Sequence, residues 1–164
     1  MHKKRSFSFW KKFKNRKGFT MTEVVVVLSL LGILTAIAIP SFISWLPRHR
    51  LQTSARQIYD DLNLAKIRAV RGNIDSCITF NIGNGNYTVF LDVNGDSTYT
   101  NGVDTLIKGP VTLENGVNIT AAATCGFNNR GMSTAAGPTQ VRLTNPTGVV
   151  TNVNVNTVGN ITVS

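Results

Sequence analysis

The chain has 164 residues, enough for one domain with a modest core. Its 42% hydrophobic content excludes a disordered chain, and a single long apolar run excludes a polytopic membrane protein. The formal charge of +9 suggests a nucleic-acid binder until it is divided: residues 1–18 hold eight Lys/Arg and no acid, leaving nine basic residues against eight acids over 19–164. The basicity therefore belongs to an N-terminal tail, and two cysteines and two histidines leave little with which to build a metal site or a catalytic triad.

After that tail, Val24–Ile39 is sixteen residues without a charge, and the uncharged stretch continues through Leu46. About 20 apolar residues span a bilayer as a helix. Ser29, Thr35, Ser41 and Ser44 can return their hydroxyls to the helix backbone. The basic flank places the tail in the cytoplasm and everything after the run outside it. A buried core helix does not explain eight cations on one side. A secretory signal peptide has a shorter apolar region and a small-residue cleavage site, which Pro40-Ser41-Phe42 does not supply. Glu23 stands at the head of the run. A carboxylate at the centre of a membrane helix costs about 2.5–3.5 kcal/mol, so an acid in this segment is a functional candidate.

Lys17-Gly18-Phe19-Thr20-Met21-Thr22-Glu23, followed by the apolar run, resembles the N-terminus of type IV pilins and type II secretion pseudopilins. The resemblance implies that a prepilin peptidase/methyltransferase cuts between Gly18 and Phe19 on the cytoplasmic side and methylates the new Phe19 amine. It makes Glu23 the fifth mature residue, the acid characteristic of the family. Cutting at Gly18 removes the eight cations and creates an α-amine with a pKa near 8. A neighbouring subunit's amine would then pair with Glu23, and breaking such a buried pair costs about 3–5 kcal/mol.

Farther along, Leu51, Ala55, Ile58, Leu62, Ala65 and Ala69 form one apolar helix face, with Arg56, Asp60, Asp61, Lys66, Arg68 and Arg71 off that line. Gly72-Asn73 is a stop signal. A helix over 19–72 would be about 81 Å long at 1.5 Å per residue, kinked or locally opened at Pro40 and Pro47. Cys77–Ile82, the turn Gly83-Asn84-Gly85-Asn86 and Tyr87–Val93 predict a hairpin. Thr105–Lys108, Val111–Glu114 and Val117–Ala121 are weaker strands. Gln140–Thr144 and Val149–Val155 predict a second hairpin, and Ile161–Val163 a last edge strand. The helix text 54–70, the following hairpin, the loop 92–104 and Phe127-Asn128-Asn129-Arg130-Gly131 are similar to the GspH/FimT group of minor pilins and pseudopilins.

Cys77 and Cys125 lie where disulfides persist, and a bridge between them would close a loop of about 49 residues, worth about 4 kcal/mol. Asp92, Asn94 and Asp96, with Asp104 beyond, alternate oxygen ligands as a calcium loop does, but Gly95 and the final acid fall at the wrong positions for an EF-hand. A turn with side-chain caps accounts better for the pattern. FimT-like members tied to DNA uptake carry a closing Gly-Arg-x-Arg stretch. The corresponding Gly159-Asn160-Ile161-Thr162 has no arginine, Arg130 and Arg142 are the only basic residues in the C-terminal 55, and the nearly neutral 19–164 region speaks against nucleic acid as a partner. No nucleophile motif, metal-spaced His/Cys set or complete dinucleotide loop supports an enzyme, and no cofactor is expected.

The sequence thus predicts an α+β, pilin-like fold: a leader over 1–18, a transmembrane and assembly half of a long helix over 19–46, its amphipathic half over 47–72, and a periplasmic antiparallel β-sheet domain over 73–164. The expected function is a minor pilin or pseudopilin subunit of a type IV pilus or secretion pseudopilus, anchored in the inner membrane before assembly and partnered by other pilin subunits. A major pilin, a DNA-uptake receptor and an ordinary membrane-anchored binding module are the alternatives.

Overall fold

The computed structural model describes residues 18–164. The eight cations of the expected leader lie outside the described residues. The chain divides into two compact units, one ending at Ser41 and the other covering Phe42–Ser164. One helix, α1 (Met21–Gly72), contributes to both.

In the first unit α1 starts on a cap. The Glu23 amide donates to the Thr20 hydroxyl at 3.2 Å, and the Val24 amide donates to the Thr20 carbonyl. Thr20 thereby takes up one of the orphan donors of the first turn. The helix assignment runs unbroken through Pro40 and Pro47, although each ring removes one rung of the ladder. At its other end α1 stops where Gly72-Asn73 predicts, with Asn73 in the left-handed region at φ 50°.

In the second unit, β1 (Ser76–Asn81), β2 (Asn86–Leu91), β3 (Thr105–Thr112) and β5 (Cys125–Phe127) form one antiparallel sheet in the order β3-β2-β1-β5. A second antiparallel sheet, β4-β6-β7-β8, comprises β4 (Asn118–Ala121), β6 (Thr139–Thr144), β7 (Val150–Val155) and β8 (Ile161–Val163). The predicted helix face is the observed one: Leu51, Ala55, Ile58, Leu62, Ala65 and Ala69 are all at most 1% exposed. They join Ile78, Tyr87, Val89 and Phe127 of the first sheet and Ile119, Val141, Leu143, Val153 and Val155 of the second in a single core.

Three details differ from the sequence reading. The strands expected at 105–108 and 111–114 are one edge strand, β3, and Glu114 lies beyond it. Pro110 cannot donate to a ladder, which an edge strand tolerates. The register with β2 shifts beside it, and Gly109 sits at φ 134° with an added Cβ only 3.0 Å from Thr88 Cα. β5 is a strand that the pattern did not announce. Asp61, expected off the apolar line, is buried.

Candidate functional site

The chemistry expected at the N-terminus falls on Gly18, Phe19 and Glu23. Gly18 has no neighbour within 4 Å of a built Cβ, and Phe19 is 80% exposed. The predicted scissile bond therefore precedes the helix and stands clear of packed structure among the described residues. Glu23 lies in the first turn of α1, where the helix dipole favours an anion. Its carboxylate makes no ion pair among the described residues; the ion pair found there is Lys108–Asp61.

From Val24 to Ile39 the side chains are exposed, and the most apolar window of α1 has no share buried in the fold. Among the described residues α1 is the helix long and apolar enough to cross a membrane. Its polar residues are internally satisfied as the sequence suggests: Ser29 Oγ donates to the Val25 carbonyl at 2.8 Å and Thr35 Oγ1 to the Leu31 carbonyl at 2.6 Å. The run thus presents methyl and methylene surface with its hydroxyls turned inward, an arrangement suited to lipid or to a bundle of like helices.

The remaining candidates sit in the second unit. Asp92 Oδ1 accepts from the Gly95 amide at 2.7 Å, and its Oδ2 accepts from the Ser97 amide at 2.9 Å. Asp104 accepts from the amides of Val93 and Thr100, at 3.0 and 2.7 Å. Asn94 Nδ2 donates to Asp96 Oδ2, and Asp96 Oδ1 accepts from the Thr98 amide. These side chains cap their own loop, as Asx turns do, and do not converge on a common point for a cation: among the described residues no group of three His, Cys, Asp or Glu side chains is placed to hold a metal.

The loop packs over the outer face of the first sheet. Phe90 meets Tyr99 edge-on with ring centroids 5.5 Å apart, and the Cys77 thiol points to Asp92 Oδ2 at 3.7 Å. Cys125 points into the core and donates to Thr139 Oγ1 at 3.3 Å. Both thiols are free and buried. The expected bridge is not formed, and the strand register gives the reason. Cys77 pairs with Gly126 and Ile78 with Cys125. Successive residues of a strand face opposite ways, so Cys125 shares the face of Ile78 and Cys77 faces the other side of the sheet. Burial pushes the Cys77 thiol up to about 12, with Asp92 adding to the rise, and burial likewise raises Cys125.

A polar cluster that the sequence reading did not anticipate ties α1 to the first sheet. Lys108 Nζ lies 2.7 and 2.8 Å from the two Asp61 oxygens, and Tyr87 donates its hydroxyl to Asp61 Oδ2 at 2.6 Å. Burial, followed by this bond, raises the Tyr87 phenol well above its usual range. The cluster opens onto a cavity of about 380 Å³ lined by Thr53, Arg56, Gln57 and Asp60. Adjacent acids at 60 and 61, one step from Leu62, were the only sequence signal for it. Arg130 and Arg142, the two C-terminal cations, lie on different elements, a turn after β5 and the exposed face of β6.

Comparison with known proteins accords with this arrangement. The family of type II transport protein GspH matches residues 54–159, and the prokaryotic N-terminal methylation motif matches residues 13–39. A pilin-like protein, PilA1, from Thermus thermophilus is 32% identical over 88 residues, which are 53% of this chain and 55% of that protein; the match thus spans about half of that relative's length. The crystal structure of the type IV minor pilin FimU of Pseudomonas aeruginosa superposes with a TM-score of 0.57 at 13% identity, covering 71% of this chain and 90% of that one. The minor pseudopilin EpsH of the Vibrio cholerae type 2 secretion system superposes with a TM-score of 0.51 at 14% identity, covering 70% and 96%. At such identities the two structures share the fold.

Proposed function

The chain belongs to the type II transport protein GspH family and carries the N-terminal methylation motif, and from that premise we propose that it is a minor pilin or pseudopilin subunit made as a precursor. A prepilin peptidase removes residues 1–18 and methylates the Phe19 amine. The apolar half of α1, over 19–46, holds the subunit in the inner membrane with the amphipathic half over 47–72 and the β domain over 73–164 on the periplasmic side. Assembly moves the apolar helix from lipid into a filament, where Glu23 pairs with the Phe19 amine of the neighbouring subunit. The role is structural, and the motif-bearing helix works by position.

The observation that carries this reading is the contrast along one helix. Its second half is buried against two sheets, while its first half exposes a continuous apolar surface headed by Thr20 and Glu23. A soluble protein does not leave so large an apolar surface uncovered. The test is the intact mass of subunits purified from cells with a working processing enzyme. A mass that lacks residues 1–18 and carries one added methyl group is expected; a chain that keeps its original start, unmethylated, overturns the proposal. Glu23→Ala is expected to insert into the membrane normally and to be depleted from sheared filaments, and normal incorporation of that variant refutes the pairing role.

A further inference from the structure

Just beyond the apolar run, α1 carries a stacked aromatic arrangement next to two arginines. Phe42, Trp45 and His49 follow one another on one helix face. The Trp45 and His49 rings stack with centroids 4.6 Å apart and planes inclined by 15°, and Phe42 leans on Trp45 at 6.0 Å. The stack faces away from the core: Trp45 is 52% exposed, whereas Leu51 is buried. Arg48 beside it is exposed, and Arg50 reaches the Asn115 carbonyl with Nη1 at 3.3 Å. Neither guanidinium has a carboxylate partner among the described residues.

The spacing gives these groups a place. After Glu23 the next charge is Arg48, so residues 24–47 are uncharged throughout. About 20 residues cross the hydrocarbon, which sets Trp45 at the far interface and Arg48 among the headgroups. Tryptophan is enriched at that level, and arginine extends its charge outward from an apolar stem. Two arginines on the outer side work against the charge bias that orients a spanning helix, so they call for a separate role. A guanidinium without a carboxylate is matched by phosphate in geometry and charge.

We propose that Trp45, Arg48, His49 and Arg50, backed by Phe42, form a site for the phosphodiester of an anionic phospholipid in the outer leaflet of the membrane that α1 crosses. The site rests on the proposed membrane anchoring of α1. The stacked imidazole holds the indole at the acyl boundary while the two arginines close on the headgroup.

Trp45 is a direct reporter, since the other tryptophan, Trp10, lies before Gly18. The experiment uses the processed chain, or the full chain carrying Trp10→Phe, in phosphatidylcholine vesicles containing a minor share of lipid brominated near the carbonyl, either as phosphatidylcholine or as phosphatidylglycerol. Brominated phosphatidylglycerol is expected to quench Trp45 with an apparent preference of about thirtyfold over brominated phosphatidylcholine, in line with two basic side chains at an anionic surface. Arg48→Gln is expected to remove part of that preference, and Arg48→Gln with Arg50→Gln nearly all of it, with the circular dichroism of the β domain unchanged. Arg48→Gln leaves the Arg50–Asn115 contact in place, so it tests the site even if the double variant disturbs the fold. Equal quenching by the two lipids, or a preference that survives both substitutions, overturns the site while leaving the anchor intact. Loss of the preference on adding inorganic phosphate overturns a lipid source in favour of the free ion. Absence of quenching by either lipid overturns the anchor and the site with it.

Discussion

Lys108→Met isolates the Asp61 cluster. Asp61 is 6% exposed at its side chain and Tyr87 is buried, but Lys108 is 43% exposed. Removing one partner of a fully buried pair costs about 3–5 kcal/mol, whereas exposed pairs are worth about 0–1. With one partner buried and the other reached by solvent, the loss should be about 2 kcal/mol. For a globular part of this size that corresponds to a fall in Tm of about 6 °C. The measurement is thermal unfolding of the full chain in mild detergent, followed by near-ultraviolet circular dichroism of the tyrosines. The diagnostic arm is the double variant Asp61→Asn/Lys108→Met. It removes the stranded charge while keeping an acceptor for Tyr87, and should recover about 1 kcal/mol of the loss. If Lys108→Met and the double variant melt together, Asp61 does not depend on its lysine and the reasoning fails.

Alkaline pH should destabilise the fold through its thiols. The folded Cys77 is raised from 9.0 to about 12 and Cys125 is raised as well, so above pH 9 the unfolded chain releases protons that the folded chain keeps, and stability falls with rising pH through about pH 12. The expected slope is about 1.4 kcal/mol per pH unit for each thiol, and Cys77→Ala should reduce it; a pH-independent Tm between 9 and 10.5, as about one and a half units of that window, argues against the assignment. In native protein both thiols should resist a maleimide and both should react after denaturation, whereas a native mass two hydrogens lighter would mean that they had bonded after all. Gly159 sits at φ 78°, and an added Cβ would collide with the Gly131 carbonyl. Gly159→Ala should therefore cost about 2 kcal/mol or more, and an unchanged melt would refute the close approach of these two turns.

The parts of the fold carried by periodicity were legible. The Leu51–Ala69 face, the Asn73 stop and both hairpins follow from spacings of three and four, from alternation, and from Gly- and Asn-rich turns. What escaped depends on partners remote in sequence. β5 is three residues long, too short for any period to register, and exists because β1 offers it an edge. Asp61 reads as solvent-facing beside Asp60, and only the arrival of Tyr87 and Lys108 from β2 and β3 makes it a buried anchor. The thiol pair illustrates the limit most plainly. The expected compartment and the loop length both favour a bridge, yet one step of register between Cys77 and Cys125 sets them on opposite faces. At the N-terminus the residue pattern named Gly18, Phe19 and Glu23, but that Thr20 caps the turn was visible only in the geometry.

That cap bears on how Glu23 can serve two environments. At the N-terminal turn of α1 the helix dipole is worth about 0.3–1 kcal/mol to an anion, against about 2.5–3.5 kcal/mol for a carboxylate at mid-membrane. The local structure therefore offsets only part of the penalty, and less is needed near an interface than at the centre. On the proposed function, a subunit alone in lipid would hold Glu23 at the headgroups, whereas one drawn into a bundle of apolar helices would have to find a cation there. Removal of residues 1–18, as proposed, would create an amine four residues before Glu23, two of them ahead of the helix start at Met21, and a neighbour's amine would meet this carboxylate at only one axial offset of the two helices. A carboxylate that is tolerable in lipid and unsatisfied in any other stagger would select that offset, which is why its removal should spare insertion and disturb assembly.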